Sequence, residues 1–136
     1  MAEETLSPEE AFACVALVAI AADGYLSDQE GRDMTMTLAR MQLFESYSSE
    51  EMKQLFDRLL TLLKRYGPGT LISKAKGSLP EELRETAFAI ATDLVLSDKT
   101  VTDQEQAFLD DLYQILEIPG TVALQIVQVM NIKNRG

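Results

Sequence analysis

The run from Ala11 to Ala22, AFACVALVAIAA, carries no charge and constrains this chain more than any other stretch. It is framed as a helix. Ser7 is a natural N-cap, Pro8 suits the first helical position, Glu10 completes a capping box, and Gly24 suits the C-terminal end. Such a helix is apolar on nearly every side, so it belongs at the centre of a domain with neighbours all around it. The run is too short to cross a bilayer, which takes about 20 residues. The start, MAEETLSPEE, is acidic, unlike the basic start of a signal peptide. A soluble, cytoplasmic protein is expected.

A chain of 136 residues fits one domain and buries enough surface to fold without disulfides. The net charge of −10 argues against phosphate backbones and anionic lipid as partners, so neither nucleic acid nor direct membrane insertion is expected. Cations and basic protein surfaces remain compatible with it. The single cysteine, Cys14, rules out an internal disulfide and is expected to be inert core. No histidine exists, which removes the commonest general base and the commonest zinc ligand. With no nucleophile motif either, an enzyme is not expected.

Helical periodicity recurs along the chain. A second helix is expected from Ser27 to about Met41. A third opens at SSEEMKQLFDRLLTLLKRYG, with Met52, Leu55, Phe56, Leu59, Leu62 and Leu63 on one face, and stops at Gly67–Pro68–Gly69. TLISKAK reads as a short helix or turn. Pro80 begins a long helix, Thr102 caps another through about Leu116, and a last helix follows Pro119–Gly120. Asp93 interrupts an apolar run and is expected at the surface, with a shared polar site as the alternative. Met34, Met36, Met41 and Met52 are expected in the core. No alternating strand pattern occurs. The expectation is an all-α, compact bundle of six or seven helices.

The bundle also reads as two related halves. DGYLSDQE, from Asp23 to Glu30, returns as DKTVTDQE, from Asp98 to Glu105. At the same offset of 75, Val15 falls on Ile90, Ile20 on Val95, Met34 on Leu109, Met41 on Leu116 and Leu43 on Ile118. One domain is expected, with a first half about 7–44, an insertion about 45–79 and a second half about 80–132. A pseudo-two-fold arrangement of the halves would bring the acidic turns close together.

Each turn has two physical readings. Ser27-x-x-Glu30 and Thr102-x-x-Glu105 are capping boxes, which account for both glutamates structurally. Asp23 and Asp98 sit at helix C-termini, where a carboxylate is unfavourable by about 0.3–1 kcal/mol. A bound cation would turn that repulsion into attraction, and carboxylates with loop carbonyls form a hard oxygen set suited to Ca²⁺, Mg²⁺ or Mn²⁺. Alternatively, Asp23 accepts loop N–H groups as an Asx-turn does. Tyr25, at the tip of the first turn, has no core-facing pattern.

AADGYLSDQE resembles the A-x-A-D-G…E pattern of the tellurite-resistance TerB-like family. LPEELRETAFAIATDLVLSD…VTDQEQAFLDDLYQILEIP resembles that family's second half. The resemblance implies a TerB-like all-helical fold of two halves, a cytoplasmic bacterial protein, and metal binding at Asp23, Glu30, Asp98 and Glu105. It also implies a regulatory or scaffold role in tellurite or stress resistance, with other Ter-family or basic proteins as partners, some at the membrane. Lys99 stands where the first half has Gly24. Its ammonium would neutralise Asp98, so the first turn is the stronger site. Tellurite is an oxyanion, and an acidic turn does not capture it directly. The alternative function is a metal-free acidic protein–protein interaction module, or a domain that self-associates as a homodimer.

Overall fold

The computed structural model describes residues 5–21, 26–97 and 102–135. Its elements are α1 (Pro8–Ile20), α2 (Asp28–Ala39), α3 (Ser49–Tyr66), α4 (Pro68–Ser78), α5 (Arg84–Leu96), α6 (Asp103–Ile115) and α7 (Gly120–Lys133). Two 3₁₀ segments, Gln42–Phe44 and Glu81–Leu83, precede α3 and α5. No strand occurs among the described residues. None of the described helices is long and apolar enough to cross a membrane.

α1 is the hub of the bundle. Every residue from Ala11 to Ala21 is buried. The helix packs most extensively on α5, then on α4 and α3, with smaller contacts to α2 and α6. Its start is fixed as expected: Ser7 Oγ accepts from Glu10 N–H at 3.1 Å, and Glu10 Oε1 accepts from Ser7 N–H at 2.9 Å. The other oxygen of Glu10 accepts from Arg58 on α3. Phe12 is 1 % exposed and meets Phe44 edge-on, with ring centroids 6.3 Å apart.

α3 buries the six apolar residues expected of it. Gly67 ends it with φ 83°, a backbone conformation that glycine adopts without steric penalty. The same glycine precedes Pro68 at the first position of α4. Gly67–Pro68 is therefore a junction between helices rather than a plain stop. Where a short helix or turn is expected, α4 runs 11 residues and buries Leu71, Ile72 and Ala75. Pro80 starts the 3₁₀ turn rather than α5, which begins at Arg84. α2 ends at Ala39, two residues before the expected limit at Met41. Glu117 follows α6 in the left-handed region, φ 60°. Its carboxylate takes Arg84 at 3.1 Å and Lys76 at 3.4 Å, tying α4 and α5 to the α6–α7 corner.

Two side-chain expectations need correction. Asp93 is not solvated as expected; it follows the alternative and points into a polar site shared with the end of α7. Its side chain is 16 % exposed and is held by Asn134 Nδ2 at 2.8 Å and Lys133 Nζ at 3.1 Å, so it anchors the C-terminal end of α7 to α5. Met34 and Met52 are core, but Met36 is 58 % exposed, because it lies two residues from the buried Met34 and therefore off the inward stripe of α2.

Cys14 is fully buried, and burial pushes its thiol from 9.0 up to about 12. An unfolded chain releases this proton near pH 9, while the native chain keeps it. Stability is therefore unaffected by the thiol below pH 9 and falls between pH 9 and 12, by up to about 1.4 kcal/mol per pH unit. Chemical denaturation of the natural chain and of Cys14→Ala across that window checks this. The natural chain should lose stability more steeply, and parallel curves would refute it.

Candidate functional site

Helices α2 and α6 begin with the same local chemistry. Ser27 Oγ accepts from Glu30 N–H at 3.1 Å, and Glu30 Oε1 accepts from Ser27 N–H at 3.1 Å. In α6, Thr102 Oγ1 accepts from Glu105 N–H at 3.0 Å, and Glu105 Oε1 accepts from Thr102 N–H at 2.9 Å. Both boxes form because a short hydroxylated residue stands three positions ahead of a glutamate at a helix start. Each box uses one carboxylate oxygen and leaves the other outside the box.

Glu30 and Glu105 line one cleft of about 410 Å³. Asp33, one turn further along α2, joins them on its wall, and Ile20 and Leu94 supply apolar surface from the ends of α1 and α5. Ser97, beyond α5, also borders the cleft, although its hydroxyl donates to Leu94 O at 2.8 Å. Glu105 is 9 % exposed. Among the described residues, no lysine or arginine lines this cleft. The contrast with Glu10 is instructive. That glutamate sits in an identical box, but Arg58 takes its other oxygen. Neither Glu30 nor Glu105 has an ion pair with a lysine or arginine among the described residues.

The helix ends act in opposite directions here. The C-terminal ends of α1 and α5 bring partial negative charge, while the N-terminal turns of α2 and α6 offset part of it. Among the described residues, the three carboxylates of the cleft have no lysine or arginine partner.

Of the four expected ligands, Glu30 and Glu105 thus border a common space. Asp23 and Asp98 lie outside the described residues, as do Gly24, Tyr25 and Lys99. Among the described residues, no three carboxylate or thiol groups converge closely enough to hold a metal ion. The donors of the cleft fit a hard divalent cation in kind, but they do not complete a shell by themselves.

Asp33 was not singled out by the repeat, because the position 75 residues on is Phe108. Its signal was helical spacing: Glu30 and Asp33 are three apart and share a face of α2. Gln29 Nε2 donates to Asp33 Oδ1 at 2.7 Å, which holds the carboxylate along the helix. A fourth capping box, Ser48 with Glu51, opens α3 in the same way. Its backbone N–H and then its hydroxyl hold the Glu51 carboxyl below its ordinary value. Glu51 is exposed and does not border the acidic cleft.

Compared with known proteins, the chain matches no family model, no curated protein and no solved structure.

Proposed function

We propose that this chain is a divalent-cation-binding helical regulatory or scaffold protein, built from two TerB-like halves and serving a tellurite or stress-resistance system. One observation carries the reading: Glu30 and Glu105, from the repeated turns, border a single cleft to which the described residues bring three carboxylates and no basic side chain. Glu30 and Glu105 would hold the ion through the oxygens their capping boxes leave over. Asp23 and Asp98, with carbonyls of the turns, would supply the rest. The ion, Ca²⁺, Mg²⁺ or Mn²⁺, would contribute positive charge that ties the starts of α2 and α6 together. In tellurite resistance such a protein acts indirectly, through its state of order, rather than by capturing the oxyanion.

The test is a titration of each metal chloride into metal-free protein, followed by backbone amide signals and thermal unfolding. At a hundredfold excess over Kd, the native state gains about 2.7 kcal/mol. Amide shifts should concentrate at the starts of α2 and α6. No response of either at about 10 mM metal rejects the proposal.

A second reading is supported by the capping boxes themselves. Glu10 and Glu51 make the same box at sites with no repeated acidic turn, so the motif has a structural role without metal. On this reading the acidic cleft docks a basic protein. Capture of such a partner that weakens with salt and ignores chelator would favour it.

A further inference from the structure

We infer that the cleft between α5, α6 and α7 binds a small molecule with an apolar body and a protonated amine. This does not rest on the cation reading, and the cleft shares no lining residue with the acidic cleft. It holds about 390 Å³, within the usual range of ligand sites.

The space follows from residue size. α7 lines it with Gly120, Ala123 and Val127, a stripe of small side chains at helical spacing. A methyl group at Gly120 would meet the Tyr113 ring of α6 at 4.0 Å and nothing nearer. The floor is apolar. Phe88, Leu109 and Ala123 are buried there, and Phe88 meets Tyr113 edge-on with ring centroids 6.3 Å apart.

The rim sets the charge of the occupant. Gln106, Asp110 and Tyr113 fall at i, i+4 and i+7 along α6 and border the cleft from one side. Asp110 is its only charged side chain among the described residues. Asp110 Oδ1 accepts from Gln106 Nε2 at 3.1 Å, and the carboxylate enters none of the ion pairs among those residues. One carboxylate beside an aromatic ring, above an apolar floor, suits a molecule that is cationic at one end and apolar along the rest. Its ammonium donates a charge-assisted hydrogen bond to Asp110 and lies near the face of Tyr113, while its body covers Phe88 and Leu109. An anion is repelled by Asp110 and by a chain of net charge −10. A bare metal ion is poorly served, since one carboxylate supplies too few hard oxygens.

Titration of the full chain with phenethylamine, phenethyl alcohol and phenylacetate, followed by backbone amide signals at pH 7, tests this. The amine should bind with Kd of about 0.1–1 mM, as a small fragment does, and shift Phe88, Leu109, Tyr113 and Ala123. The alcohol should bind about 5- to 10-fold more weakly, and the anion more weakly still. Methylammonium, which has the charge without the apolar body, should leave these signals in place. Asp110→Asn should bring the amine and the alcohol within about twofold of each other, with unchanged helix content by circular dichroism. Gly120→Leu sets an isobutyl group beside Tyr113 at an exposed helix start and should weaken both. No shift around the cleft at about 10 mM amine overturns the inference. So do equal affinities for the three compounds, or an amine preference that survives Asp110→Asn. Shifts of the same size with methylammonium would reduce the site to a surface charge, and overturn it equally.

Discussion

Phe12→Ala is expected to lower the melting temperature by about 10–15 °C. Phe12 lies one turn into α1, fully enclosed, with its ring set against Phe44, which in turn meets Tyr47 at 5.4 Å. Truncation removes the transfer free energy of the ring, leaves a cavity, and breaks an edge-to-face pair. Together these cost about 3–5 kcal/mol. For a chain of this length, each kcal/mol moves the midpoint by about 3–4 °C. Phe12→Leu should recover more than half of the loss, because it refills most of the volume. The measurement is calorimetry on the three proteins. A shift under about 4 °C for Phe12→Ala would mean that the site collapses freely and that α1 is not the rigid hub its burial implies.

The second large effect concerns cation affinity. Glu30→Gln and Glu105→Gln should each weaken divalent binding by about tenfold or more, the lower end of what even an indirect partner of a metal contributes. Glu51→Gln should leave it unchanged, since that residue makes the same box away from the cleft. Glutamine completes a capping box as glutamate does, so metal-free stability should stay within about 0.5 kcal/mol in all three. The design separates charge from capping. Equal affinities across the three variants would remove Glu30 and Glu105 from the ion's shell. A stability loss confined to Glu30→Gln and Glu105→Gln would show that their carboxylates support the fold beyond the box.

The helices were readable because their signals are local. Ser7 and Pro8 announce α1, and Gly67 ends α3, each through one or two residues with a fixed conformational preference. α4 was underestimated for the same kind of reason. A proline at the first turn of a helix looks like a breaker until the glycine before it supplies the change of direction. The exposure of Met36 and the pairing of Asp93 are harder to read. Both depend on which side of a helix another helix covers, and α7 reaches Asp93 from 41 residues away. The candidate site divides along the same line. Each capping box spans four residues and is visible in the sequence. That the two glutamates border one space, with Asp33 beside them, is set by the packing of α1 against α5, which no four-residue window contains.

The enclosure of α1 has a consequence during synthesis. Its largest partner, α5, begins only at Arg84. At about 5–20 residues per second, a ribosome takes roughly 3–13 s to travel from Ile20 to Arg84. Throughout that interval the nascent chain carries an uncharged greasy segment that α3 and α4 cover only in part, and only once they have been made. Holdase chaperones should therefore engage this polypeptide early and release it late, once the second half has emerged.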